Sequence, residues 1–576
     1  MKKLMLGNEA LARGLYEAGC RFVSSYPGTP STEITEFVAL YDEVYAEWAP
    51  NEKVAMEAAF GASLAGKRSF CGMKHVGLNV AADPLFTIAY TGVNAGMVIA
   101  VADDAAMHSS QNEQDSRHYA KAAKLPMLEP SDSAETLAFT KLAYELSERF
   151  DTPVIVKMCT RVAHSQSVVE TADRVECVKE YSKDPAKYIM MPGNAKLRHP
   201  IVEQRLSDIA VYAETADINR IEQGSDNSIG FITGSTSYQY VKEVFGDKHP
   251  VLKLGMVWPL PTEKIKTFAA TVDKVVVVEE LDGFVEEYCN TLGLEVSGKD
   301  ILSNIGEFSQ GLVASTFGIA THSGKKAEEN IPARPPVMCA GCPHRGLFYT
   351  LAKNKITALG DIGCYTLGAV PPLAALDSTI CMGASVSGLH GFVKSGSEQR
   401  AVAVIGDSTF MHSGITGLVN IAYNDSASTV IIVDNSITGM TGHQQNPTTG
   451  KNLKGDPAAK IDLETLCKAV GIKRVRVVDP YDLAACEQAV LEETAIKEPS
   501  VIISRRPCAL LKYVKHNAPL TVNPDKCKSC KMCMKVGCPA ISMKAGKATI
   551  DNTLCTGCGV CAQLCKFDAF DKGGEN

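Results

Sequence analysis

Nowhere in the 576-residue chain do about 18 apolar residues run together, so no membrane-spanning helix is expected. Positive charge is not in excess: 58 Lys and Arg stand against 65 Asp and Glu, a net charge of −7. A nucleic-acid binder needs a basic face, and that class is set aside. A cleavable leader is missing as well. Met1-Lys2-Lys3-Leu4-Met5-Leu6-Gly7 begins like one, but Asn8-Glu9 interrupts it and no small-residue cleavage site follows. The expected location is the cytoplasm. The last ~55 residues have little apolar content, too little to build a core unaided.

Elsewhere, 45% apolar and 21% charged residues allow ordinary cores. The length implies about three to five domains. The twenty cysteines are uneven, with eight falling between Cys527 and Cys565. In a cytoplasmic chain, dense cysteine means metal rather than disulfides.

Residues 1–181 read as α/β. Short apolar runs such as Arg21-Phe22-Val23-Ser24 and Met97-Val98-Ile99-Ala100-Val101 alternate with helical patterns such as Ala55 to Gly66, which predicts a parallel sheet covered on both faces. Residues 182–227 are polar, with Pro192-Gly193 and Pro200, and read as a linker with some helix. A second α/β unit, 228–324, contains the strand Ile229 to Gly234 and the run Lys274 to Glu280. Lys325 to Pro336 is a charged, proline-bearing linker. A third unit, 337–512, carries the β-branched runs Ala401 to Ile405, Thr429 to Val433 and Ser500 to Ile503, typical of strands buried on both faces. Residues 518–572 form a small cysteine- and lysine-rich module.

In that module Cys527-x2-Cys530-x2-Cys533-x4-Cys538-Pro539 precedes Cys555-x2-Cys558-x2-Cys561-x3-Cys565. Three thiolates at this spacing wrap three corners of a cubane, and the fourth of each run reaches the other cluster. One [4Fe–4S] cluster then takes Cys527, Cys530, Cys533 and Cys565, and the other Cys538, Cys555, Cys558 and Cys561. Structural zinc also uses four cysteines, but usually as two Cys-x2-Cys pairs across a longer spacer. Two departures stand out: four residues instead of three precede Cys538, and Lys566 replaces a proline. Neither removes a ligand. Lys526, Lys528, Lys531 and Lys535 either offset the anionic cluster, dock a ferredoxin, or are a solvated face.

Val404-Ile405-Gly406-Asp407-Ser408 is a strand running into a turn, and Asn435 follows 28 residues after Asp407. Both sit just beyond buried strands, where open α/β sheets bind ligands. Their oxygens suit Mg²⁺ holding a diphosphate. Ser413 to Asn424 reads as a helix with its N-terminus toward the phosphates. A lone Gly-Asp with a distant Asn is a weak signal. The pattern nevertheless resembles the thiamine-diphosphate motif, which implies Asp407, Asn435 and the Ile437 carbonyl as Mg²⁺ ligands and Gly406 and Ser408 beside the coenzyme, Ser408 standing for the usual Gly. Thr438-Gly439-Met440-Thr441-Gly442-His443-Gln444 is similar to the ferredoxin-linked branch of that family. So are Cys339-Ala340-Gly341-Cys342-Pro343-His344 and Gly360-Asp361-Ile362-Gly363-Cys364, which implies coenzyme contacts from His344, Gly363 and Cys364. His344 either binds phosphate or orients a loop. Cys339-x2-Cys342 could be half a metal or redox site, yet no second pair lies nearby in sequence.

Thiamine enzymes need a carboxylate against the aminopyrimidine ring. Glu52 and Glu57 each stand nine residues before a glycine, Gly61 and Gly66. Gly61-Ala62-Ser63-Leu64-Ala65-Gly66 resembles a stretch of the 2-oxoacid:ferredoxin oxidoreductases in which the Glu lies about nine residues upstream, which implies Glu52. A plain helix-start acid fits Glu52 too. Ser25-Tyr26-Pro27-Gly28-Thr29-Pro30-Ser31 looks like a turn of the same family. Locally it predicts Thr29 capping a helix with Pro30 at its first position; by resemblance Thr29 touches the substrate carboxylate. His75, in Met73-Lys74-His75-Val76-Gly77, either faces the reacting carbon or packs inside. Arg117 either pairs with a substrate carboxylate or forms a surface ion pair, the reading preferred from sequence.

The resemblance spans the chain, and its domain order is most similar to the α subunits of indolepyruvate:ferredoxin oxidoreductases, with Met73 to Pro84 the most particular stretch. It implies oxidative decarboxylation of aryl pyruvates, with Glu52 activating thiamine diphosphate, two [4Fe–4S] clusters passing electrons to ferredoxin, and coenzyme A accepting the acyl group. It also implies a smaller β subunit in an α2β2 assembly. Pyruvate or 2-oxoglutarate as substrate, a non-oxidative decarboxylase, and an electron-transfer subunit without catalysis are the alternatives.

Overall fold

The computed structural model describes residues 1–320, 331–332 and 334–571. Residues 325–330 and 333 of the expected linker, 321–324 at the end of the expected middle domain, and 572 at the end of the expected module lie outside them. The chain divides into two compact units, Met1–Ala327 and Glu328–Asn576.

The first unit is built on a seven-stranded sheet in the order Met256–Trp258, Met127–Leu128, Val154–Cys159, Met97–Asp103, Ser69–Lys74, Phe22–Ser25, Tyr45–Trp48. Its pairs are parallel except that of Met256–Trp258 with Met127–Leu128. Met97–Asp103 and Val154–Cys159 are buried along their whole length, as strands covered on both faces must be. The helix expected from Ala55 starts at Glu52, because the Asn51 side chain accepts the Val54 N–H at 2.9 Å and caps it.

Two expectations change here. The segment 182–227 is less a linker than a 24-residue helix, Pro192–Thr215, followed by the edge strand Arg220–Glu222. Its inward stripe escaped notice because it includes two arginines. Arg198 and Arg205 are buried with Val202, Ile209 and Ala213, and they donate to the carbonyls of Tyr90, Thr91 and Ala89. Moreover, the expected domains 1–181 and 228–324 share a sheet through Met256–Trp258 and share a core that joins Ile99 and Ile155 to Leu252, Phe268 and Phe284. The second sheet runs Val296–Ser297, Val275–Val278, Gly230–Gly234, Val251–Leu254, Arg220–Glu222.

Arg117 is no surface residue. It is 3% exposed, donates Nε and Nη2 to Asp115 at 2.9 and 2.5 Å and Nη1 to Glu279 at 2.5 Å, and reaches the carbonyls of Glu280 and Asp282. Burial would raise the Asp115 carboxyl, but the Arg117 charge holds it well below the usual carboxylate range. The partner Glu279 is 162 residues away, so this pairing is set by the docking of the two sheets.

The second unit has a six-stranded, all-parallel sheet: Ser378–Thr379, Thr357–Gly360, Ala401–Gly406, Thr429–Asp434, Ser500–Arg505, Arg474–Val478. Gly406 lies opposite Val433, so the turns carrying Asp407 and Asn435 leave the sheet side by side. The helix expected from Ser413 begins six residues earlier, at Asp407. It runs through Asp407–Thr409, a widened turn at Phe410–Gly414 and Ile415–Tyr423. Gly406 is extended and leads straight into the helix, and Asp-Ser-Thr suits a helix start. The C-terminal module has two short antiparallel pairs, Thr521–Val522 with Phe570–Asp571 and Ile541–Lys544 with Lys547–Ile550. Val536, Ile541, Ala548, Val560 and Ala569 pack there among the cysteines.

Candidate coenzyme and cluster sites

In the second unit, Asp407, Asn435 and Ile437 are 2%, 7% and 3% exposed. Asp407 Oδ2 is satisfied by protein, accepting from Thr448 Oγ1 at 3.1 Å and Asn446 Nδ2 at 3.4 Å. Its Oδ1 points the other way. As placed, the Asn435 amide oxygen lies 2.6 Å from the Ile437 carbonyl oxygen and 3.3 Å from Asp407 Oδ1. Three acceptors facing one another repel, and either a turned amide or a cation relieves them. Turned, the amide nitrogen donates to both oxygens; unturned, the amide oxygen accepts the Ile437 N–H at 3.3 Å. A carboxylate, an amide and a backbone carbonyl form the partial oxygen shell a hard divalent ion takes when phosphate and water complete it. Burial, and then the Asp434 charge, raise the Asp407 carboxyl to about 7. The loop Thr438–Thr448 folds over the site: Thr438 and Gln444 exchange backbone hydrogen bonds, and Thr438 Oγ1 donates to Ser408 Oγ at 2.8 Å.

His344 is buried at a helix start, and burial pushes its imidazole down to about 4. Gly363 and Cys364 open a short 3-10 turn. Asp361 instead is structural: it accepts the N–H groups of Gly383 and Ser385 at the start of the helix Ala384–Lys394.

Sequence spacing missed one thiol group. Cys339 and Cys342 lack a second pair in sequence, but Cys364 and Cys508 come in beside them. Burial raises the Cys364 thiol to about 11, and Cys508 and Cys339 raise it further; Cys342 is raised to about 12 by burial, with Cys364 and Cys339 adding to the effect. The group borders the cation site. The Cys508 N–H donates to Asn435 O at 2.9 Å, and a β-carbon on Gly439 would lie 3.4 Å from Cys364 Sγ.

In the C-terminal module the cysteines lie close enough to shift one another's thiols. Cys533 is raised by burial and by Cys530, Cys527 and Cys565; Cys561 is raised by burial and by Cys558, Cys538, Cys555 and Cys533. Cys527, Cys530, Cys533 and Cys565 line one small pocket with Val522 and Phe570. Backbone N–H groups of Ala548, Gly557 and Ala569 point at Cys527, Cys555 and Cys565 sulfurs at 3.4 to 3.5 Å, the contact that stabilises thiolate-held clusters. Lys526, Lys528, Lys531 and Lys535 are exposed.

In the first unit, Glu52 is 5% and His75 1% exposed. Glu52 opens the helix Glu52–Leu64, and His75 opens the helix His75–Val80 that follows the strand Ser69–Lys74. A β-carbon on Gly77 would lie 2.5 Å from Glu52 Oε1, so only glycine admits the carboxylate there. His75 Nε2 lies 3.2 Å from Asn112 O, and its Nδ1 is buried without a partner. Thr29 does not cap a helix: the helix begins at Thr32 after Ser31, and the Thr29–Pro30 bond is cis. Lys74 was missed by the sequence reading. It packs on Gly28 and donates Nζ to Ser109 O at 2.5 Å, and Ser109 Oγ is 3.5 Å from Thr29 O. Burial lowers the Lys74 ammonium to about 8 against the opposing pull of Asp104. Glu57 is exposed and paired with Lys53.

Three family profiles match the chain: "Pyruvate flavodoxin/ferredoxin oxidoreductase, thiamine diP-bdg" over residues 13–225, "Thiamine pyrophosphate enzyme, C-terminal TPP binding domain" over 361–504, and "4Fe-4S binding domain" over 548–571. Proteins named "Indolepyruvate oxidoreductase subunit IorA" align end to end: that of Archaeoglobus fulgidus is 40% identical, covering 100% of this chain and 98% of its own. The Pyrococcus horikoshii protein is 39% identical, covering 100% and 97%, and the Methanothermobacter thermautotrophicus protein 38%, covering 100% and 98%. These matches and the α/β fold define a thiamine-diphosphate-dependent 2-oxoacid:ferredoxin oxidoreductase with an iron–sulfur domain. More narrowly, the chain belongs to the IorA family of indolepyruvate oxidoreductase subunits. Among the described residues no helix is long and apolar enough to cross a membrane.

Thr448 orients the acid at the cation site. Thr448→Val is expected to weaken Mg²⁺-dependent thiamine diphosphate binding by ~10–100-fold, the usual effect of losing a ligand's supporting hydrogen bond, as measured by calorimetric titration.

Proposed function

We propose that the chain is the catalytic subunit that oxidatively decarboxylates aryl pyruvates, indolepyruvate and phenylpyruvate among them, to aryl-acetyl-coenzyme A and CO₂, passing electrons to ferredoxin. The observation that carries the reading is that one compact unit holds both the acceptor triad Asp407–Asn435–Ile437 and the eight module cysteines. The aryl substrate is supported by the names of the end-to-end relatives; a protein named "2-oxoglutarate synthase subunit KorA" from Archaeoglobus fulgidus is 24% identical and covers 52% of this chain. A smaller β subunit in an α2β2 assembly, coenzyme A as co-substrate and a cytoplasmic location belong to the same reading.

Thiamine diphosphate, when bound, supplies a nucleophilic carbon and an electron sink. Asp407 Oδ1, Asn435 Oδ1 and the Ile437 carbonyl would hold Mg²⁺, and the helix start at Asp407 and Ser408 faces the diphosphate. Glu52, dry against Gly77, exchanges a proton at its carboxylate on the aminopyrimidine side. Lys74 and Thr29 grip the substrate carboxylate. His75 Nδ1, buried and unpaired, orients the keto group. Cys527, Cys530, Cys533 and Cys565 hold one [4Fe–4S] cluster, and Cys538, Cys555, Cys558 and Cys561 a second. Cys339, Cys342, Cys364 and Cys508 hold a third beside the diphosphate.

Purified without oxygen together with its β subunit, the enzyme is expected to reduce viologen with indolepyruvate and coenzyme A far faster than with pyruvate or 2-oxoglutarate. Glu52→Gln loses ~10²–10⁴-fold in rate, the usual worth of a positioned acid–base group, while iron and coenzyme stay bound. Equal turnover on pyruvate would reassign the substrate. Lys74 must carry charge to pair with a carboxylate, so KM for the 2-oxo acid rises as pH climbs through about 8, and Lys74→Met flattens that rise in a pH series. Iron and acid-labile sulfide are expected to total three clusters per chain, falling to two in Cys339→Ser/Cys342→Ser.

A further inference from the structure

Arg345 is the second residue of the helix His344–Lys353 and is 4% exposed. Its guanidinium makes five hydrogen bonds. Nε and Nη2 donate to Cys339 O at 3.2 and 3.0 Å, Nη2 also to Met338 O, and Nη1 to Val536 O and Gly537 O at 3.0 and 2.6 Å. Every partner among the described residues is a backbone carbonyl, and none is a carboxylate. That is unusual, because a buried cation is ordinarily paired with an opposite charge. Carbonyl dipoles solvate a guanidinium but leave its net charge in place.

Both segments that Arg345 joins are cysteine segments. Met338-Cys339 opens the Cys339-to-Cys342 loop, and Val536-Gly537 leads into Cys538. Two neighbouring contacts tighten the same joint. Gly341 has φ +66, and a β-carbon there would lie 2.2 Å from Thr556 Oγ1, so this loop touches the Cys555-to-Cys558 loop with no room for a side chain. Tyr481 Oη donates to Gly341 O at 2.5 Å, and Gln563 Nε2 donates to Tyr481 O at 2.7 Å. The module therefore turns its Cys538 and Cys555–Cys558 side toward the diphosphate domain, while Cys530 and its lysines are exposed to solvent.

We propose that Arg345 is a positioning residue for electron transfer: its unpaired charge compensates the cluster held by Cys538, Cys555, Cys558 and Cys561, which makes that cluster the easier to reduce and the entry point of the module. This rests on the cluster reading given above. Oxidation of one 2-oxo acid releases two electrons, which pass singly. Each passes from the cluster beside the diphosphate to the entry cluster, adding one negative charge there, and then moves to the Cys527, Cys530, Cys533 and Cys565 cluster and on to ferredoxin, the oxidant of the reaction. A fixed cation at the joint lowers the energy of the reduced entry cluster, and more so in a buried setting than in water.

The test is an EPR-monitored redox titration of the anaerobic holoenzyme as wild type, Arg345→Gln and Arg345→Lys, with Cys530→Ser marking the outer cluster's signal. Wild-type iron and sulfide come first: a protein without clusters refutes the underlying reading, independently of Arg345. With full iron, Arg345→Gln is expected to lower the entry cluster's reduced-to-oxidised ratio at fixed potential about tenfold, 59 mV for one electron. The outer cluster should stay unchanged and Arg345→Lys should return to the wild-type value. Unshifted potentials, or equal shifts in both clusters, overturn the proposal. If Arg345→Gln loses iron, Arg345→Lys decides: full iron with wild-type potentials supports the charge, and iron lost there too shows that only the hydrogen-bonding fork matters and overturns it.

Discussion

Two turns that leave adjacent parallel strands side by side, and bring Asp407, Asn435 and Ile437 together, make the central constraint of this protein. The Ile437 carbonyl and Asp407 Oδ1 lie 2.6 and 3.3 Å from the Asn435 amide, and with the amide turned its nitrogen donates to both. The surrounding structure fixes this arrangement. Gly406 and Val433 are in register on adjacent parallel strands, which brings both turns out at one edge. Thr448 and Asn446 occupy the far oxygen of Asp407, leaving the near one no choice of direction.

Around this point, the second unit places its redox groups by a logic of unpaired charge. The thiols of Cys339, Cys342, Cys364 and Cys508 border the cation site, and those of the C-terminal module lie beyond them across the Arg345 joint. Buried thiols raise one another's proton affinity, so they are poor thiolates until metal binds and displaces the protons. Arg345 is the converse, a buried cation with no carboxylate partner among the described residues. Anion and cation are complementary across a joint only a glycine wide. The first unit handles charge differently. Arg117 is fully paired with Asp115 and Glu279 and locks two sheets together, whereas Lys74, with a lowered ammonium, donates to Ser109.

Much of this was legible in the residues. Continuous β-branched runs announced the central strands, since a strand buried on both faces has no polar positions to interrupt it. The cysteine spacing gave the expectation of two crossed sets of four, because a cubane's corners impose that spacing locally. Glu52 was separable from Glu57 only by the neighbouring Gly61–Gly66 stretch; the structure supplies a physical distinction, Glu52 being buried against Gly77 and Glu57 exposed.

What sequence by itself determined, then, was whatever rests on near neighbours along the chain: strand burial, cluster spacing, and the Gly-Asp turn with its later Asn. Tertiary structure alone decided the rest. The cysteine pair Cys339–Cys342 gained Cys364 and Cys508, Arg117 found Glu279, and the stripe of Pro192–Thr215 went inward behind its arginines. Each of these depends on groups far apart in sequence being brought together by sheet order, and a single chain read in order carries no signal for distance across a fold.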